Sequence, residues 1–261
     1  VKPFQTSLLS LSIFLAIAGG PVSAAGEPAR SADGDDDAHG LPAARADGAG
    51  GEEQAAPDLR IVVKGALQRL EEGNRRYAGA KASGPRRGKE QRLRVSMAQL
   101  PFAVVVGCAD SRVPPEILFD QGLGDLFVVR AAGHVVDAAA LGSIEYAVEH
   151  LGSRLVVVLG HERCGAVDAA CKGGHAGGHV AALVEAIAPA VDVAKRRRAA
   201  RGEKGGRGAG LLEDAVRANV ELTVDRLKGA WPVLGPEIRA GRLSVAGAIY
   251  DLETGLVEFL P

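Results

Sequence analysis
The sequence predicts an α/β domain: a mostly parallel β-sheet flanked by helices and finished by a C-terminal hairpin. Three observations carry that expectation. Residues 102–107, 126–130 and 155–160 are short, nearly unbroken apolar runs, two of them ending in glycine, as strands buried on both faces do. Segments with a helical apolar period precede or separate these runs, and alternation of this kind implies parallel strands joined by crossovers. The chain then closes with two extended stretches around a tight turn, which reads as a hairpin.

Taken in order, residues 1–25 read as a signal peptide and not as part of the globule. Lys2 precedes a run over 8–18 interrupted only by Ser10 and Ser12, Gly19-Gly20-Pro21 ends it, and small residues follow. Cleavage after Ala24 or Ala25 would release a secreted, periplasmic domain, and no apolar run reaches the ~18 residues of a membrane span. Residues 26–58 read as a disordered linker, with nine acidic side chains against Arg30 and Arg45, and Leu41 as the one large apolar residue. So little apolar surface cannot offset the entropy of ordering. The domain over 59–261 is then mildly basic. It opens with an amphipathic helix over 65–77, Leu67 and Leu70 facing inward. The strands over 102–107 and 126–130 follow. Asp137 is placed to cap a helix running to Leu151 and closing at Gly152, with Leu141, Ile144, Val148 and Leu151 as its apolar stripe. The strand over 155–160 comes next, and 243–250, 253–255 and 256–260 form the hairpin.

Composition narrows the field. With 47% hydrophobic and 24% charged residues and a net charge of −1, the chain is neither a disordered tail nor a strongly basic nucleic-acid binder. Aromatic residues make up 4%, so the core is built from Ala, Val, Leu and Ile. Three cysteines cannot staple a fold of this size.

The chemistry lies where two predicted strands stop. The first delivers Cys108-Ala-Asp110-Ser-Arg112 and the last delivers His161-Glu-Arg-Cys164-Gly165. Ligands of open α/β sheets gather outside the carboxyl ends of strands, which is where both clusters fall. Two thiolates and an imidazole are good zinc ligands, and Asp110 offers a fourth. Three protein ligands leave a place for water, the catalytic pattern, whereas four closed ligands make a structural site. Either cluster alone reads as a small buried cysteine or a turn histidine; together they mark a metal site. A cysteine-nucleophile loop wrapping an oxyanion would need Arg six residues after the Cys, where Pro114 stands, and leaves His161 and Cys164 unexplained.

Cys108-Ala-Asp-Ser-Arg-Val, Phe127-Val-Val-Arg130 and Gly160-His161-Glu-Arg-Cys164-Gly165-Ala resemble the β-class carbonic anhydrases, a likeness extending from about Glu72 to Asp251. The resemblance implies a β-carbonic-anhydrase-like domain holding one Zn2+ per subunit on Cys108, His161 and Cys164. It also implies reversible hydration of CO2 to bicarbonate and a proton. Water on such a zinc falls from a pKa of 15.7 to roughly 7, giving a hydroxide that attacks CO2. Asp110 and Arg112 would act as a gatekeeper pair, Arg112 holding the carboxylate off the metal. Gln99 corresponds to an amide that bonds substrate oxygen, Phe127 and Tyr146 to aromatics of a pocket assembled across a dimer interface, and the Gly165 N–H to an anion contact. The stripe of the 137–151 helix lies nearly opposite Tyr146, which independently keeps that residue off the core. The implied partners are CO2, bicarbonate and further copies of the chain, as a homodimer or higher oligomer, with no nucleic acid. A zinc-binding protein of the same fold without turnover is the alternative.

Departures from the family pattern are few. Val105 stands where some members carry a Trp of an inhibitory bicarbonate site, so regulation of that kind is not expected. Ala132 replaces a larger pocket residue, and His134 stands where Asn is common, with a structural hydrogen bond as its expected role. His175 and His179 read as parts of an exposed loop, and Cys171 as a spare thiol. Lys195 to Arg198, with Arg201, Lys204 and Arg207, read as a solvated helix end and loop insertion.

Overall fold
The computed structural model describes residues 59–173, 177–203 and 210–261. The signal and linker readings over 1–58, and His175, Lys204 and Arg207, lie outside the described residues. Helix α1 (Leu59–Ala78) leads through α2 (Lys89–Arg94) into β1 (Ala103–Cys108), then α3 (Pro115–Leu118) and β2 (Leu126–Ala131). A 3-10 turn, Ala132–His134, precedes α4 (Ala138–Glu149) and β3 (Leu155–His161). Helices α5 (Gly165–Lys172), α6 (Val180–Ala200), α7 (Leu211–Gly229) and α8 (Leu234–Arg239) precede β4 (Ser244–Tyr250) and β5 (Val257–Phe259).

The sheet has strand order β2-β1-β3-β4-β5, parallel except for the antiparallel β4–β5 hairpin. β1 and β3 are buried along their whole length. Their side chains alternate between two cores, as the two-residue period requires. Ala103, Val105, Val157 and Leu159 enter one core with Leu70 of α1 and Ile187 of α6, while Val104, Val106, Val156 and Val158 enter the other with Ile144 of α4 and Leu227 of α7. Full burial of each such valine is worth roughly 1.5–3 kcal/mol, so these strands form a rigid floor for what projects from their ends.

The Asp137 cap forms, its carboxylate accepting the Ala140 N–H at 2.8 Å, and Leu141, Ile144, Val148 and Leu151 all pack into the second core. Helix α1 begins at Leu59 and not at 65, its first turns leaving Ile61 and Val62 exposed. The described part of this basic stretch, residues 195–203, is less open than its charge suggests. α6 continues to Ala200, and Arg198 and Arg201 pair with Asp214 at the start of α7. α7 lies tight against the sheet because Gly160 and Gly247 have no side chain; a Cβ there would come within 2.5 and 2.9 Å of Val220. No helix of the described residues is long and apolar enough to cross a membrane.

Candidate metal centre
The order in which strands are added to the sheet reverses at β1: β2 lies on one side of it and β3 on the other. Such a switch point opens a crevice at the carboxyl ends of the strands. Cys108 ends β1 and His161 ends β3, on neighbouring strands registered as Gly107 to Leu159. Cys164 is the residue before α5, reached through a turn in which Arg163 takes a φ of 49°. The ligand atoms of Cys108, His161 and Cys164 all lie within 4.8 Å of one another, and all three residues are buried.

The surroundings prepare these atoms for a cation. The His161 Nδ1–H donates to the Glu162 carbonyl at 2.8 Å, which fixes the tautomer and turns the Nε2 lone pair toward the sulfurs. That Nε2 is buried without a hydrogen-bond partner among the described residues, an arrangement that costs free energy unless something electron-deficient sits opposite. Cys108 Sγ accepts the N–H groups of Asp110 at 3.4 Å and Gly133 at 3.3 Å. It lies 3.9 Å from Cys164 Sγ. The S–H of Cys164 facing it holds the Cys108 thiol well below the usual thiol range, against the opposing effect of burial. The same contact pushes Cys164 up. Two soft sulfurs and one imidazole, with an unpartnered nitrogen between them, fit zinc.

Asp110 stands beside this cluster, engaged elsewhere. Its Oδ1 accepts the backbone N–H and Nε–H of Arg112 at 2.9 and 3.0 Å, and its Oδ2 accepts Nη2 at 2.7 Å. This fork holds the carboxyl far below the ordinary carboxylate range. Oδ2 is also 3.9 Å from His161 Nε2, so the carboxylate faces the Cys-His-Cys cluster while bound to Arg112. Gly165 opens α5 with free space where a side chain would be.

Other predicted residues lie apart from the cluster. Phe127 and Tyr146 form a pair with ring centroids 6.5 Å apart, Phe127 packing on the opposite core from Cys108, and Tyr146 is 46% exposed. Gln99 is exposed in the stretch between α2 and β1. Among the described residues, no hydrogen bond or ring contact joins these three to the cluster.

Several contributors escaped sequence reasoning. Arg130 donates to the carbonyls of Cys108 at 2.8 Å and Asp110 at 2.6 Å, bracing the loop that carries both; a charge ending the apolar run of β2 was the available signal. Asn219 of α7 donates to Gly133 O and meets His134 Nε2, each at 3.0 Å. Its signal was a buried amide on a helix face otherwise made of Ala, Val and Leu.

The carbonic anhydrase family model matches residues 103–257. The chain is 42% identical over 194 residues to carbonic anhydrase 2 of Mycobacterium tuberculosis, covering 73% of this chain and 89% of that one. It is also 42% identical over 199 residues to a carbonic anhydrase of Mycolicibacterium smegmatis, covering 74% and 91%. Among solved structures it is similar to the β-carbonic anhydrase CcaA, with a TM-score of 0.59 and 26% identity over 75% of this chain and 95% of that one. A tetrameric β-carbonic anhydrase of Sordaria macrospora also gives 0.59, with 25% identity over 75% and 97%.

Proposed function
The chain belongs to the β-carbonic anhydrase family, and from that premise we propose that it hydrates CO2 reversibly with one zinc ion held by Cys108, His161 and Cys164. The observation that carries the reading is the buried, unpartnered His161 Nε2 set against two sulfurs, beside a carboxylate already neutralised by Arg112. When bound, zinc supplies the Lewis acidity that makes a nucleophilic hydroxide available from water near neutral pH.

The protein residues do the rest. His161 is oriented by Glu162, so its lone pair need not reorganise. The Asp110–Arg112 fork keeps the carboxylate off the metal while leaving Oδ2 free to accept a hydrogen bond from the attacking group and aim its remaining lone pair. Were Arg112 to release it, Asp110 would become a fourth ligand and close the site. The Gly165 N–H, at the first position of α5 and so without a partner inside the helix, is available to bicarbonate oxygen. Gln99, Phe127 and Tyr146 complete the substrate pocket when a second copy of the chain packs against the first. Their separation from the cluster within one chain, and the exposure of Tyr146, support a homodimer or higher oligomer. Residues 1–25 direct export to the periplasm and are removed; N-terminal sequencing of the exported protein tests this.

Metal analysis of cysteine variants tests the site. Cys108→Ser or Cys164→Ser removes most of the zinc, and Cys171→Ser leaves it bound. Equal zinc in all three overturns the assignment.

A further inference from the structure
The metal-holding end of β1 is connected to α7, a helix that supplies none of the proposed ligands. Asn219, buried at 7% exposure, sends its Nδ2 to two acceptors at 3.0 Å, Gly133 O and His134 Nε2. A carbonyl oxygen can only accept, so the amide nitrogen of Asn219 is the atom that faces it, which fixes the amide orientation. Nδ2 therefore donates its second proton to His134 Nε2, and His134 carries its own proton on Nδ1.

Both residues held this way are in the left-handed backbone region, Gly133 at φ 63° and His134 at φ 46°. A buried histidine keeps such a conformation only where its surroundings over-determine it. The packing around Gly133 is equally strict, since a Cβ would lie 2.6 Å from Ile187 Cδ1. The purpose of the turn is visible at its amide: Gly133 N–H points at Cys108 Sγ, 3.3 Å away.

We propose that Asn219 is a positioning residue for the Cys108 thiolate, acting through the Gly133–His134 turn that it clamps. Resting on the zinc reading above, this assigns α7 a part in metal affinity. The N–H···S bond draws electron density from the sulfur and stops it rotating away from the metal direction. Without the clamp the turn relaxes, the N–H leaves, and Cys108 becomes a more electron-rich and less pre-organised ligand. Outer groups of this kind typically govern metal affinity by 10–100-fold.

The test uses the cobalt-substituted full chain, whose thiolate-to-cobalt charge-transfer band reports sulfur electron density, with zinc affinity from chelator competition. Asn219→Asp removes both donors at constant size. Asn219→Ser leaves no buried charge and is read if the aspartate variant fails to fold. Thr223→Val is the control; its hydroxyl bonds Asn219 O at 2.8 Å on the same helix without touching the clamp. The expected result is a 10–100-fold loss of zinc affinity and a red-shifted band in the Asn219 variants, with Thr223→Val like wild type. Folded Asn219 variants with wild-type band and affinity, or the same shift in Thr223→Val, overturn the positioning role. A wild-type protein lacking any thiolate-to-cobalt band overturns the metal reading itself.

Discussion
Acidification should destabilise this protein through His134, and the structure sets the size of the effect. The ring is 1% exposed, and its Nε2 accepts from Asn219, an amide that has only protons to offer on that side. A protonated ring would turn a second donor toward Nδ2, and no partner stands at Nδ1 among the described residues. Burial therefore lowers the His134 pKa from 6.5 to about 4. Because the folded value lies below the unfolded one, the unfolded chain binds the proton more tightly. The stabilisation is complete above pH 6.5, declines as pH falls, and is gone once pH has passed through about 4. Two and a half pH units at 1.36 kcal/mol each correspond to about 3 kcal/mol, a large share of the stability of a domain. His134→Asn is the informative comparison: Asn tolerates the left-handed backbone, can accept from Asn219, and does not titrate. Urea unfolding of both proteins in zinc-free form between about pH 7.5 and 4 isolates the histidine. The wild type should lose about 3 kcal/mol relative to the variant across that window. Parallel profiles would refute the argument that the ring is held neutral.

Three further outcomes follow from the same contacts. Arg112→Ala should leave zinc bound, because the ligands are untouched, yet lower CO2 hydration roughly tenfold or more at every pH as Asp110 moves onto the metal; wild-type rates and pH profile would make Asp110 a bystander. Asp120 is wholly buried and accepts from Arg76 Nε, the Ser83 N–H and hydroxyl, and the Gly84 N–H. Asp120→Ala, by orphaning these donors, should cost about 2–3 kcal/mol and move the urea midpoint by about 1 M, with zinc content unchanged. Tyr146→Glu, on an exposed ring beside Phe127, should shift the mass measured by light scattering toward a single chain and lower turnover with it. A wild-type protein that already runs as one chain would remove the basis for a pocket shared between copies.

What the sequence revealed and what it hid divide along physical lines. Strands β1 and β3 were legible because burial on both faces leaves an unbroken valine run, which they match to within a residue; β2 shows a similar run although it lies at the sheet edge and is only half-buried. The candidate ligands were legible because Cys108 and the His161–Cys164 pair sit where those runs stop, so strand order brought them together. Helices α6 and α7 were not. α6 is rich in alanine and arginine, contains Pro189 and presents only a narrow buried stripe, so its periodicity is faint. The start of α1 was hidden for a related reason, since Ile61 and Val62 face outward and do not extend the inward pattern of Leu67 and Leu70. The Asn219 clamp joins residues 85 apart in the chain through a left-handed turn. A backbone state imposed by tertiary contacts leaves no local mark on a histidine.

The central claim is turnover at the Cys108–His161–Cys164 centre, and stopped-flow CO2 hydration by the purified domain over 59–261, carrying one equivalent of zinc, tests it most directly. The account predicts hydration well above the buffer rate at alkaline pH, falling as pH is lowered, abolished by a chelator and restored by added zinc. A fully zinc-loaded, oligomeric protein with no hydration above buffer would contradict it and leave a zinc-binding protein of this fold without catalysis.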